Sequence, residues 1–204
     1  LLWKVSDADN AVYVLGSFHL LKPDDYPLSK DVDAAFAESE RVMFELSPDE
    51  MASPTLAMQM AQAALRTDGT SLDSEVGPGI AGKLKAWSER NQEQLRTSGV
   101  PGHMLQMFEP WFAGMVVTLT EMSKMGLDPK FGIDMHFAEA AKKAGKPTGA
   151  LETGAQQIAF LDGMDKVEQR QMLAEALDES QEGRAEMEKL HRQWREGDEK
   201  GIWD

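Results

Sequence analysis

Ala11-Val12-Tyr13-Val14-Leu15-Gly16-Ser17-Phe18-His19 is the stretch on which the fold turns. Residues 11–15 are apolar, aromatic or β-branched and read as a strand. Gly16 permits a bend where a Cβ would obstruct it. Ser17 is small and hydrogen-bonds locally, and His19 is delivered into the loop beyond. A strand ending in a permissive turn presents a reactive side chain at a sheet edge. An imidazole in that place serves as a metal ligand or as an acid/base near neutral pH. Upstream, Leu1–Val5 forms a second apolar run, set off by the polar turn Ser6-Asp7-Ala8-Asp9-Asn10. The chain therefore opens as a hairpin.

Downstream, the loop Lys22-Pro23-Asp24-Asp25-Tyr26-Pro27 precedes an amphipathic helix that Ser29 caps and that runs to about Glu40. Arg41–Leu46 (RVMFEL) is a short apolar run with one acid near its end, and reads as a buried strand. Strand, strand, helix, strand is the beginning of an α/β sheet. Helical patterns then follow at Met51–Leu65, Ile80–Gln94, Glu109–Met125 and Ile133–Ala144, with Leu72–Val76 as a connector. The last of these helices stops at Gly145, and Pro147 follows. Thr148–Leu151 is a further sheet-like stretch that ends in Glu152, after which Gln156–Phe160 and Lys166–Arg195 are helical up to a break at Gly197. The expected fold is α+β with α/β character, in one domain over residues 1–204. A small mixed sheet comes from 1–46 and 146–153, a helical insertion fills 50–145, and helices occupy 154–204.

Composition narrows the function. Of 204 residues, 42% are hydrophobic, which supports a real core. The net charge of −14, with no basic run longer than Lys142-Lys143, argues against nucleic acid as a partner. There is no cysteine, so disulfides, thiol nucleophiles and iron–sulfur clusters are excluded. No apolar run reaches the roughly 18 residues of a membrane span. Residue 1 is Leu and a strand begins at once, as in a mature or trimmed chain; removal of a signal peptide with export is the expectation, and disordered or trimmed leading residues are the alternative.

Three polar residues fall at strand ends: His19, Glu45 and Glu152. Open α/β sheets gather their sites there. One histidine and two carboxylates suit a hard-to-borderline divalent metal, and a glutamate beside such a metal can serve as general base. An acid at the end of an apolar strand equally suits a helix cap or an ion pair. Asp134 lies in the first turn of a helix, where it stabilises the N-terminus. His136, two residues on, points elsewhere. His103 reads as a solvated loop residue and His191, among Glu188, Lys189 and Arg192, as a surface residue. The thirteen methionines, Met115 and Met122 among them, read as core filler, with a Met-lined groove as the alternative. Ser17 has no His–Asp relay apart from His19, which argues against a serine hydrolase.

The opening LWKVSDADNAVYVLGSFHLL, then VMFEL, EPWFAGM and FGIDMHFAEAAKKAGKPTGALET, resemble the TraB/GumN family along essentially the whole chain. That family includes bacterial conjugation-pheromone shutdown proteins and the animal Tiki proteins, which are metal-dependent proteases that clip Wnt ligands. The resemblance implies an erythromycin-esterase/ChaN-like fold. It makes His19 of Gly16-Ser17-Phe18-His19 a metal ligand or catalytic histidine, with Glu45 as the acid after the third strand. Asp134 and Glu152, of the GID and LET motifs, become site-lining residues. Ser17 and Asp134 are read as substrate-binding. The family pattern also has a second GxxH on a C-terminal strand. Trp194–Asp204 reads as the run-up to it, and that strand is expected to be missing here.

The leading expectation is a metal-dependent hydrolase, a peptidase acting on peptides or proteins. His19 and Glu45 would hold a divalent ion (Mn, Co or Zn), and Glu45 or Glu152 would take a proton. The alternative is a non-catalytic module that captures a peptide such as a pheromone. A third reading is a structural role in which the polar strand ends only cap helices.

Overall fold

The structure, a computed structural model, describes residues 1–203, with Gln181 and Glu182 as backbone alone. Strands β1 (Leu2–Ser6) and β2 (Ala11–Leu15) pair antiparallel, with Leu2 opposite Leu15 and Ser6 opposite Ala11. Asp7 makes the turn, its Oδ1 accepting from the backbone N–H of Asp9 and Asn10 at 3.2 and 2.7 Å. Helix α1 (Lys30–Glu38) starts at Ser29, whose hydroxyl accepts from the Val32 N–H. Strand β3 (Val42–Phe44) follows.

The expected helix 51–65 is instead two, α2 (Pro48–Met51) and α3 (Pro54–Ala63). Each begins with a capping serine followed by proline, Ser47-Pro48 and Ser53-Pro54. Proline suits a first helical position but pushes the residue before it out of helical geometry, so Ser53 interrupts the run. The stretch read as a connector, Leu72–Val76, belongs to α4 (Leu72–Arg90), which kinks at Gly77, where φ is 76°. Helices α5 (Gln92–Thr97), α6 (Pro110–Lys124) and α7 (Ile133–Ala144) come next. Gly145 closes α7 in the left-handed conformation at φ 65°. After β4 (Thr148–Ala150) come α8 (Gly154–Asp162), α9 (Lys166–Glu182), α10 (Arg184–Glu196) and α11 (Glu199–Trp203). Thus 166–195 is two helices parted at Gly183, and much of the stretch read as a run-up to a strand is helical. Asp204 lies outside the described residues. None of the described helices is long and apolar enough to cross a membrane.

The small mixed sheet expected from residues 1–46 and 146–153 is not formed as one sheet. Among the described residues, β1 and β2 pair only with each other, and β3 pairs in parallel with β4, Val42 opposite Thr148 and Phe44 opposite Ala150. The face of the hairpin carrying Trp3, Val5, Val12 and Val14 is exposed, while Leu2 and Leu15 on its other face pack on the core that holds Phe44 of β3. The architecture is helix-rich α+β.

The chain divides into two compact units. The first comprises Leu1–Ala52, Gly126–Thr153 and the chain from Ala185. Its core is Leu21, Val32, Phe44, Ile133, Phe137 and Trp194. The second comprises Ser53–Met125 and Gly154–Arg184. There α6 packs along α9, and Gly114 permits the approach, since a Cβ on it would lie 3.3 Å from the Leu173 Cα. Trp87, Leu105, Val117 and Leu177 fill this core. Met60, Met104, Met115 and Met172 pack around Ala64, Phe108 and Trp111, which is the filler role expected of methionine.

Candidate functional site

The site lies in the first unit and is assembled from the two halves of the chain that the helical segments separate. Gly16 leaves β2 with its N–H donating to the Leu1 carbonyl at 3.0 Å. The residues after it alternate. Phe18 is half-buried against the core, while Ser17 and His19 face outward.

Asp134, the second residue of α7, meets both. Its Oδ2 accepts from the Ser17 hydroxyl at 2.9 Å and lies 2.6 Å from His19 Nδ1. The two preceding residues complete the clasp. The Ile133 N–H donates to the Phe18 carbonyl at 3.1 Å. Gly132 packs so closely that a Cβ on it would sit 2.1 Å from the His19 carbonyl oxygen. The GID tripeptide therefore has a separate task at each position: close approach, backbone donor and carboxylate acceptor. Glu45, immediately after β3, approaches the other ring nitrogen, with Oε2 3.8 Å from His19 Nε2. Glu152 lies two residues beyond the end of β4, and its N–H donates to the Glu45 carbonyl at 3.1 Å. Ser17, His19, Asp134 and Glu45 are thus joined through side chains, and Glu152 is set beside Glu45 through the main chain.

The electrostatics fix the tautomer. Burial of Asp134 works to raise its pKa, but the hydrogen bonds from His19 and Ser17 outweigh this and hold it below the usual carboxylate value of 3.8. Asp134 is therefore ionised near neutrality and only accepts hydrogen bonds. His19 must then carry its neutral-form proton on Nδ1, which turns the Nε2 lone pair toward Glu45. The hydrogen bond to Asp134 raises the His19 pKa above 6.5 against partial burial, with the charges of Asp134 and Glu45 assisting. Ser17 is bonded to Asp134 and not to an imidazole, so it has no base to activate it.

This gives a pH prediction with a definite sign. A histidine whose folded-state pKa exceeds its unfolded value stabilises the fold below the unfolded value of 6.5. That contribution is lost as pH rises through the folded value. Asp134→Asn is expected to bring the His19 titration down to or below 6.5 and to flatten this part of the stability profile. Histidine NMR titration of both proteins checks it; an unchanged His19 midpoint would show that Asp134 does not govern the ring.

The other histidines divide. His103 is exposed, as expected. His136 lies against Tyr26, ring centroids 4.6 Å apart, and its burial lowers its pKa. His191 is not a surface residue. Its side chain is only 12% exposed, and Nε2 lies 2.9 Å from Oδ2 of the buried Asp25. The available signal was the spacing of His191, Trp194 and Arg195, which puts all three on one helix face with a large apolar ring. The Asp25 partner, far away in the chain, gave no local sign.

Among the described residues, no group of three or more His, Asp or Glu side chains is gathered as a ready metal site. His19 Nε2 and the Glu45 carboxylate are the two donors that face each other.

The clasp of Gly132-Ile133-Asp134 on Gly16–His19 unites motifs more than a hundred residues apart, and the TraB/PrgY/gumN family model matches residues 1–204. This chain belongs to the TraB/PrgY/gumN family. Over 51 residues it is 41% identical to the uncharacterized protein YbaP of Escherichia coli (strain K12) and to the protein of that name from Shigella flexneri. The match covers 25% of this chain and 19% of each relative, so it spans about a fifth of their length. No solved structure matches the chain.

Proposed function

We propose that this family member is a metal-dependent hydrolase of peptides or proteins, with the erythromycin-esterase/ChaN-like architecture and an exported location. The observation that carries the proposal is the His19 clasp: Nδ1 is bound at 2.6 Å to a low-pKa carboxylate while Nε2 faces Glu45. A carboxylate on the far nitrogen is how metal-binding imidazoles are oriented and made more basic.

The donor set fits in chemistry. An imidazole nitrogen and a carboxylate oxygen suit Mn, Co or Zn. Two donors are fewer than the three protein ligands usual at a catalytic zinc. The further donor on this reading is the histidine of the second GxxH that the family pattern implies. Within these 204 residues only Gly16–His19 has that spacing. A bound divalent ion supplies polarisation of a carbonyl and a water of lowered pKa. The chain's own residues do the rest. Asp134 keeps the Nδ1 proton in place, Ser17 steadies Asp134, and the carboxylate of Glu45 or Glu152 accepts a proton from the attacking water.

Metal analysis of the full-length protein tests this. A stoichiometric divalent ion and metal-dependent cleavage of a peptide library are expected, with both lost in His19→Ala. A wild-type protein that retains no divalent ion under any loading condition would sink the proposal.

A further inference from the structure

We propose that α10 is a positioning element for His19, acting through Trp194 and through the His191 and Arg195 side chains that meet the buried Asp25. The inference rests on the reading of His19 as the reactive histidine. Trp194 is buried, and its Nε1–H donates to the Gly16 carbonyl at 2.8 Å. Phe18 stands against two rings of the same helix, its centroid 5.6 Å from His191 and 5.4 Å from Trp194. The loop before His19 is therefore gripped on two sides. Trp194 holds the Gly16 carbonyl, the Ile133 N–H holds the Phe18 carbonyl, and Asp134 holds the side chains of Ser17 and His19.

The contacts of Asp25 explain why this grip is firm. The Asp25 side chain is 1% exposed. Oδ2 accepts from the Lys22 N–H at 2.7 Å and contacts His191 Nε2 at 2.9 Å, while Oδ1 accepts from Arg195 Nη1 at 2.9 Å. A buried carboxylate is tolerated only while such donors satisfy it. If α10 moved off, Asp25 would be stranded, so the helix is locked onto the segment 16–25 at both ends. His19 sits between the two attachment points. Catalytic geometry demands side chains placed to within about 0.5 Å, and supporting contacts of this type provide that.

Trp194→Phe keeps an apolar ring on Phe18 while it removes the donor to Gly16 together with the pyrrole part of the indole. The readout is the His19 tautomer, taken from long-range nitrogen–proton NMR correlations at a pH where the ring is neutral. The Nδ1–H form is expected in wild type, and a substantial share of the Nε2–H form in Trp194→Phe. Affinity for Zn2+ alone, measured by calorimetry, is expected to fall roughly 10-fold, at the low end for loss of a contact that supports a metal-binding imidazole. Trp203→Ala, at an exposed residue of α11, is expected to change neither. His191→Asn, which removes the ring from Phe18, provides the same comparison if Trp194→Phe does not fold. A wild-type tautomer ratio in both α10 variants would overturn the inference. Lack of Zn2+ binding by wild type would overturn the hydrolase reading alone, because the tautomer is read without metal.

Discussion

Gly132→Ala is expected to destabilise the first unit by about 3 kcal/mol, the upper end for overpacking, and to release His19 from Asp134. The backbone of Gly132 has an ordinary φ of −59°, so conformational strain is not the cause. The cause is contact. A Cβ at this position would lie 2.1 Å from the His19 carbonyl oxygen, 2.7 Å from its carbon and 3.1 Å from the Pro129 oxygen. All three are main-chain atoms, so no rotamer change relieves the overlap. The two segments must separate, and both bonds beside the contact stretch together: Ile133 N–H to Phe18 O at 3.1 Å, and His19 Nδ1 to Asp134 at 2.6 Å. Urea denaturation reads the stability, with a lower midpoint at unchanged slope. The His19 titration reads the site and is expected to move toward its ordinary value. If both measurements matched wild type, the close approach of these segments would be disproved as the reason for this glycine.

The parts of the fold that sequence rules reveal are those whose causes are local. The hairpin follows from two apolar runs around Ser6–Asn10, where Asp7 supplies the turn. Helix α7 follows from its apolar periodicity and from Gly145, which adopts φ 65° and ends it. The split of α2 from α3 was also local, since Ser53-Pro54 is a start signal, but the Ala/Met-rich pattern on both sides masked it. The sheet partners were not legible. Strands β3 and β4 have three residues each, too few for their pattern to state which edge they join. Among site residues, His19 and Glu45 were marked by their place at strand ends, and they do face each other. Asp134 illustrates the limit. Its position in the first turn of α7 explains a helix-stabilising carboxylate completely, and nothing local shows that the same oxygen also holds His19 and Ser17. Asp25 and His191 meet across more than 160 positions, and each reads alone as an ordinary polar residue.

Arg66→Ala is expected to cost the second unit about 3 kcal/mol, the lower end of the range for removing one partner of a buried ion pair. The Arg66 side chain is 1% exposed, and its guanidinium connects three acids: Glu109 at 2.9 Å, Asp68 at 2.7 Å and Glu75 at 3.5 Å. It also donates to the Thr70 carbonyl and hydroxyl. Glu109 and Glu75 are themselves mostly buried, at 13% and 18% exposure. Lys166 and Arg170 keep one contact each with these carboxylates, at 2.7 and 3.0 Å, and this compensation sets the lower end of the range. Arg66→Lys is expected to rescue little, because a single ammonium cannot reproduce a planar fork with partners on several sides. The loss is expected to change little with added salt, since buried pairs are poorly screened. The stranded charge, more than the lost attraction, is the source of the cost. Arg66→Met combined with Glu109→Gln is therefore expected to be less destabilised than Arg66→Met alone. Chemical denaturation followed by the fluorescence of the buried Trp87 and Trp111 measures all of these variants. A double variant as unstable as the sum of its single changes would show no coupling between Arg66 and Glu109 and reject the stranded Glu109 charge as the cause.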